Sequence, residues 1–419
     1  MAANNFSKVD WVCADTLSLL KHKLGIVSTF RKDYEKDFRQ SFAVGDTVRV
    51  KYPWRPILRD GLGYVGGNIE RIETTITVDQ VIGSDYDFGT VDKLLNMERG
   101  EEKVSKEYND KMATYIAAEL DKRAARYAAR QANSIAGVLG TDPTTFDATS
   151  ATARQRFGEL DCPQDGDREI FVPYAVMRAI KGGSDANLSR FGIGDDIKRL
   201  FRKGYVGEAD GFEWTESNSL YTHTAGTWGG AVTLSSAVAN GATSLAVTCT
   251  NGDTFKQGDK IGIASVYPVN PVTRDKTQST TTYNVTVAQD VTASGTSATI
   301  PINETIYYTG NYQNVDSQPA ASAVLTLFPG TSSPSGKSGK IGLALHNEAF
   351  AFVGLPLPMP KKSSEELVGE AYDEETGLWI GFIRSFEART RSWINRMDSG
   401  LFGFGRLHVE PCACAILCK

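Results

Sequence analysis

The sequence holds little cysteine, little histidine, no long apolar run and no excess of positive charge. Six cysteines in 419 residues, at 13, 162, 249, 412, 414 and 418, set out no disulfide framework, and a reducing compartment is the expectation. Only Cys412, Cys414 and Cys418 cluster. Cys412 and Cys414 are too close for a metal knuckle, no second pair exists, and His408 alone does not complete a zinc set. The four histidines, His22, His223, His346 and His408, fall in no H-E-x-x-H pair, and no G-x-S-x-G nucleophile elbow occurs. No segment approaches eighteen uninterrupted apolar residues, which excludes a spanning helix. Met1 to Asp10 lacks the basic-then-apolar layout of a signal peptide, so the expected place of work is where the chain is made. With 45 basic and 50 acidic side chains the net charge is -5, whereas dedicated readers of nucleic acid are usually basic.

What is present is patterned. The first sixty residues hold eleven Lys or Arg against seven Asp or Glu, an excess that fits weak contact with nucleic acid or with acidic neighbours. Val12, Leu19, Leu20 and Leu24, then Phe30, Tyr34 and Phe38, predict two short helices joined near Gly25. From Thr47 the period changes to that of a strand. A glycine-rich tip follows, with Gly61, Gly63, Gly66 and Gly67, and a second strand pattern runs from Ile69 to Val78. Together they predict a long, mostly polar hairpin over 47–80, marginal alone and in need of a partner surface. Ser105 to Gly137 predicts one long helix, with Met112, Ile116, Leu120, Ala124, Tyr127, Gln131 and Ile135 down one face. Its basic residues Lys122, Arg123, Arg126 and Arg130 read as a solvated face.

Beyond Thr141, short helices (151–160, 174–180, 197–202) alternate with strands (169–173, 212–217), the mark of an α+β domain. Residues 225–335 then hold only ten charged side chains but thirty-one Ser or Thr. Strand patterns at 231–234, 244–249, 260–266, 282–287, 297–302 and 324–328 are divided by turn signals such as Asn251-Gly252 and Gly258-Asp259. This reads as an inserted β barrel or sandwich. Strands resume at 368–372 and 378–386, and alternation in Leu407, Val409, Ala413, Ala415 and Leu417 predicts a closing strand. Acidic pairs carry no chemistry: Asp85 and Asp87 read as a turn near a strand end, Asp195 and Asp196 as a helix cap, Glu374 and Glu375 as a hairpin turn. Gly336-Lys337-Ser338 imitates the end of a phosphate loop, but Gly330 is one residue too far upstream and the following residues start a helix poorly.

In this order the blocks resemble a known family. Ser41 to Val50, the glycine-tipped hairpin, the long helix and the lead Gly211 to Asn218 with Thr222 to Gly226 are similar to the major coat proteins of short-tailed phages. Phe255 to Val266 with Asn270 to Thr273, and the return through Leu345 to Phe350 and Pro356 to Pro358, extend the likeness to nearly the whole chain. Residues 411–419 match no feature of that pattern. The resemblance implies a Hong-Kong-97-type α+β capsid fold with an immunoglobulin- or telokin-like insert. It divides the chain into an N-terminal arm (1–46), an extended loop (47–80), a peripheral domain with spine helix 105–137 (81–140), a central domain (141–224), the insert (225–335) and a return to the central and peripheral domains (336–419).

The resemblance also implies a self-assembling shell subunit around double-stranded DNA, with no catalytic, cofactor-binding or metal residue and no cofactor. The implied partners are copies of itself as hexamers and pentamers, scaffolding and portal proteins, packaged DNA touched without sequence reading, and decoration proteins; no membrane is involved. The implied location is the virion capsid, assembled in the host bacterial cytoplasm. The loop is expected to lie along an adjacent subunit and the arm to follow the shell's inner side, where Lys21, Lys23, Arg31, Lys32 and Lys36 moderate repulsion from DNA, with the glycines near 61–67 acting as a hinge; the arm's own residues leave open whether it packs on its own body or reaches a neighbour. Two other readings stand beside it: a host-contact module carried by the insert, and a hydrolase with carboxylates gathered from distant segments.

Overall fold

The computed structural model describes residues 8–32, 47–56, 61–62, 72–89, 101–145, 147–181, 208–277, 282–359, 367–373, 377–389 and 391–419. Chain contacts divide it into two compact units. One comprises Met1–Val50, Thr74–Ala124 and Phe350–Gly405, the other Lys51–Glu73, Ala125–Ala349 and Arg406–Lys419.

The first unit is built on an antiparallel sheet in the order Phe350–Leu355, Ser392–Arg406, Leu378–Glu387, Leu367–Asp373, with Gln80–Gly89 also paired to Ser392–Arg406. Asp85 and Asp87 therefore lie inside a ten-residue strand and not at a turn. Their alternation with half-buried Ser84 and Tyr86 puts both carboxylates on the exposed face, where Asp85 sits opposite Arg396. Between Asp398 and Leu401 the register slips. Gly400 takes φ +75° there, a conformation other residues rarely adopt, and the Ser399 hydroxyl accepts a hydrogen bond from the Ile82 N–H at 3.2 Å.

The arm folds onto this same unit. Helix α1 (Lys8–Lys23) packs on the hairpin Leu367–Asp373/Leu378–Glu387. Its buried stripe is Cys13, Thr16, Leu17 and Leu20, one step away from the expected Val12, Leu19, Leu20 and Leu24. Lys21 pairs with Asp373 at 3.3 Å. After a single 3-10 turn, Ile26–Thr29, the chain runs extended. Arg31 donates to the Phe350 carbonyl at 2.9 Å and accepts from Phe352 N–H at 2.8 Å. Phe30 packs on Phe350 and Phe404 instead of starting a second helix. Tyr34 and Phe38 fall outside the described residues. Of the two places the sequence leaves open for this segment, its own body or a neighbour, Cys13, Leu17, Leu20, Ile26, Val27 and Phe30 are buried within the subunit.

The hairpin begins as Thr47–Lys51 paired with Glu73–Thr77. Ile76 is buried, and a Cβ at Gly403 or Gly405 would strike Thr77 O or Ile76 at 2.3 and 2.2 Å, so these two glycines are what admit the strand. Of the tip glycines only Gly61, at φ +79°, is described; Gly63, Gly66 and Gly67 lie outside.

Alanine-rich residues form the longest helix, α2 (Glu101–Gln131), about 46 Å long. Its buried face is twice as wide as a single stripe: Met112, Ala113, Ile116, Ala117, Leu120, Ala124, Ala125, Ala128 and Ala129. In the first unit its buried Asp121 accepts the N–H groups of Gly25 (2.9 Å) and Val27 (3.0 Å), serving the 3-10 turn; burial raises this carboxyl's pKa. The predicted helix end at Gly137 is corrected. α2 stops at Gln131, and Ser134–Gly137, with Ile135, forms a strand. Helical spacing continues through Ile135 in the sequence, but parallel pairing with Ala413–Leu417 captures this segment.

The second unit holds a mixed seven-stranded sheet, ordered Ser134–Gly137, Ala413–Leu417, Ser338–His346, Arg168–Val172, Phe212–Glu216, Glu208–Ala209, with Tyr221–Thr224 also paired to Ser338–His346. Helices α3 (Thr152–Glu159) and α4 (Tyr174–Lys181) accompany it. All five residues of Ala413–Leu417 are buried, so the closing strand is shorter than the alternating 407–417 read from the sequence and is covered on both faces. The helix read at 197–202 and the acidic pairs 195–196 and 374–375 lie outside the described residues.

Within 225–335 six antiparallel strands follow the order Asn284–Thr286, Lys260–Ile263, Val324–Leu327, Val232–Leu234, Ala242–Thr248, Ser297–Ile306. A bridge from Val287 to Ile302 brings the outer strands together, so the sheet nearly closes. Val232, Leu245, Val247, Phe255, Ile261, Val285, Ile300 and Leu325 fill its interior.

Candidate functional site

The residues that invited a catalytic reading are dispersed by the fold into structural tasks. Ser338 opens a strand, not a helix, and Lys337 donates to the Ser332 carbonyl at 2.7 Å, so no phosphate cradle forms there. Cys412 is bonded to Cys162, a pairing the scattered cysteines do not announce in the sequence. Cys414 and Cys418 are buried, and burial pushes both thiols up to about 12. Among the described residues no group of three or more His, Cys, Asp or Glu is placed to hold a metal ion. His22 is exposed at the end of α1, His346 meets Asp165 at 3.0 Å, and burial lowers the pKa of His408. A polar cavity of about 30 Å³, lined by Asn133, Arg156, Tyr283, Asn284 and Glu410 among others, has room for a water or two and for no substrate.

The densest polar construction lies at the root of the insert, in the second unit. The chain goes in past Thr224 and returns at Ser338, which are paired residues of adjacent strands. Ala225 N–H donates to the Lys337 carbonyl (2.8 Å) and Gly336 N–H to the Gly226 carbonyl (3.0 Å). Asp259, fully buried, holds this junction. It accepts the N–H groups of Gly226 (3.1 Å) and Lys256 (2.7 Å) and lies 2.8 Å from His223 Nε2. A Cβ at Gly226 would lie 2.1 Å from the Thr254 carbonyl. Tyr221, His223 and Asp259 line up like a nucleophile, base and orienting acid. Tyr221 Oη to His223 Nδ1 is 3.5 Å, but the imidazole is 1% exposed and no substrate can reach it. The line is a clamp.

The insert also grips the end of α2. The Lys260 ammonium donates to the carbonyls of Ala129 (2.8 Å) and Ala132 and to Thr286 Oγ1 (3.1 Å). A cation on the last carbonyls of a helix meets the negative end of its dipole. Burial pulls this lysine down to about 7, opposed by Glu304. Glu304, itself fully buried, accepts Thr286 N–H at 2.6 Å and faces Arg406 at 3.5 Å. Arg130, read from the sequence as solvated, donates to Gln257 (2.7 Å) and stacks 5.2 Å over Tyr221, with Arg126 on the same ring. Lys122 stays on the exposed face, and Arg123 pairs with Glu119 at 3.2 Å. Lys260, Glu304 and Arg406 went unnoticed in the sequence. The one available sign was a lysine opening a strand in a segment with almost no other charge.

Burial pushes two carboxyls up to about 7. Glu410 is raised by desolvation and partly lowered by Arg55, Tyr283 and Arg406; Glu169 is raised by desolvation and by its strand neighbour Glu213.

The arrangement fixes a β domain to a helix and a sheet. No curated protein sequence matches the chain. Among solved structures, it is similar to one of Mycobacterium phage Che8, at 12% identity over 94% of this chain and 90% of that one, with a TM-score of 0.46. It is also similar to the mature capsid of bacteriophage PhiM1, at 10% identity over 90% and 84%, TM-score 0.42. A third likeness is to a virus-like particle from Pyrococcus furiosus, at 6% identity over 98% and 100%, TM-score 0.33. The family model described as P22 coat protein, gene protein 5, matches residues 68–407, and the chain therefore belongs to that family: it is a self-assembling structural capsid protein and not an enzyme.

Proposed function

We propose that the subunit builds an icosahedral shell as hexamers and pentamers around phage double-stranded DNA, assembled in the bacterial cytoplasm with scaffolding and portal proteins. The observation that carries this reading is the hairpin. Among the described residues it has two strands, and Trp54, just past the first of them, is 53% exposed. A two-stranded ribbon with an exposed indole gains stability against another surface, and a repeated copy of the same subunit supplies one at every position of a shell. The six-segment division, from the arm at 1–46 to the return at 336–419, belongs to this reading. The insert's part is to hold the subunit together, through the Lys260 cap and the Asp259 clamp. Basic positions of the arm touch DNA without reading it, and Lys21, engaged with Asp373, contributes least.

Purified full-length protein examined by electron microscopy tests the proposal. Closed shells of uniform diameter are the expected result. A protein that stays monomeric at high concentration, with and without a scaffolding protein, overturns it.

A further inference from the structure

Cys162 and Cys412 are 250 residues apart in sequence, yet their Cα atoms lie 5.9 Å apart. Each is positioned by hydrogen bonds that do not depend on the sulfur bond. Cys162 N–H donates to the Phe157 carbonyl at 2.9 Å. Arg168, 5.4 Å over the Phe157 ring, donates to the carbonyls of Cys162 (2.7 Å) and Pro163 (2.9 Å). The Cys412 carbonyl accepts His346 N–H at 3.1 Å, beside the strand Ala413–Leu417. Two ends so distant in the chain meet rarely before folding, so the fold brings the thiols together and the bond follows. The remaining cysteines, 13, 249, 414 and 418, are buried. Burial keeps Cys249, Cys414 and Cys418 protonated at neutral pH, and a protonated thiol does not attack a disulfide. Cys249, Cys414 and Cys418 are thereby kept from attacking the Cys162–Cys412 bond.

We propose that Cys162 and Cys412 are a post-assembly staple: both are thiols while the subunit folds and the shell is built, and they join once the particle leaves the reducing cell. This rests on assembly inside the host. The oxidant is molecular oxygen. The two thiols give up two protons and two electrons, one S–S bond forms, and oxygen is reduced to hydrogen peroxide. The bond closes a loop of about 250 residues, which restricts the unfolded chain and makes the released particle harder to unfold.

Counting thiols tests it. Cells producing the full chain are lysed directly into denaturant with N-ethylmaleimide, and purified shells left in air are denatured and treated alike. Mass spectrometry is expected to find six alkylated cysteines per chain from cells and four from aired shells, the missing two being 162 and 412. Four straight from the cell, or six in aired shells, overturns the proposal. As a second measurement, a reductant should lower the melting midpoint of aired shells by roughly 2–8 °C. It should leave the Cys162→Ser/Cys412→Ser variant unmoved, and an equal response in that variant also overturns the staple. An absence of shells in micrographs rejects the coat reading, and with it the assembly stage invoked here. Shells with the wrong thiol count reject the staple alone.

Discussion

The hairpin and the insert are both long excursions of the chain, but they are finished differently. The insert closes six strands nearly into a ring around its own apolar interior, and its root is fastened by groups with almost no exposure: Asp259, His223 and Lys260. The described part of the hairpin has two strands, and it buries Val50 and Ile76 at its base while Trp54 stays in solvent. The difference teaches where each gets its stability. The insert carries its own core and uses polar groups only to fix its position. The hairpin borrows surfaces of its own subunit: past Thr47–Lys51 the Pro53 and Pro56 carbonyls accept from Tyr312 Oη (3.4 Å) and Arg274 (3.2 Å), while the Trp54 ring stays exposed.

Substitutions can break or sharpen this contrast. The largest effect is expected at Lys260. Lys260→Ala removes the cap from α2 and strands Glu304 as a buried charge facing Arg406, at a cost of about 3–5 kcal/mol. Equilibrium unfolding in urea measures it, and a change below about 1 kcal/mol would show that the grip on α2 is incidental. Next comes Ile261→Ala in the insert's interior, at about 2–5 kcal/mol by the same measurement, because a sealed core cannot collapse around the missing atoms. Asp259→Asn keeps the shape of the clamp but loses its charge-assisted bonds, about 1.5–3 kcal/mol.

A pH series gives a gentler effect. Glu410 has its folded pKa raised from 4.5 to about 7, so between these values the folded chain binds more protons than the unfolded one. Its contribution is full below about 4.5 and is lost as pH rises towards 7, with a slope of at most about 1.4 kcal/mol per pH unit. Glu410→Gln should flatten that part of the stability curve; an unchanged slope would assign it elsewhere, Glu169 being the other raised carboxyl. Smallest for the folded subunit is Trp54→Ala, within about 0.5 kcal/mol by unfolding. Its effect belongs in assembly, with fewer closed shells by electron microscopy. A large loss of subunit stability would mean that the indole serves its own chain.

The legible parts of this fold are those where local pattern and tertiary demand agree. The insert's strands alternate, turn at Asn251-Gly252 and Gly258-Asp259, and were readable in their places because nothing outside the segment competes for them. The end of α2 was not readable. Ile135 keeps helical spacing with Leu120 and Ala124, and only a strand some 280 residues later turns Ser134–Gly137 into a sheet partner. Asp85 and Asp87 look like turn residues because their strand's exposed face is acidic, and the residues opposite them, Arg396 and Ile394, are equally remote. The arm's stripe was displaced by one position because Cys13 and Thr16 pack as small apolar surfaces, which a list of large hydrophobics passes over. Of the site, His223 is legible as a strand or junction residue, and it lies in the strand Tyr221–Thr224 at the root of the insert. Lys260 is not legible, since a buried lysine is intelligible only once the helix end it caps is in view. The Cys162–Cys412 bond had no local signal at all.

Thr224 and Ser338 face each other across one rung of a ladder, so more than a hundred residues leave the body of the chain and come back almost to the point of departure. Such a detour is portable. A short turn could replace it without moving either flanking strand, and a different domain could be threaded through the same doorway. The body would then need some other cation at the carbonyls of Ala129 and Ala132 and other partners for Arg130 and His223, and these few contacts are what tie this particular passenger to its carrier.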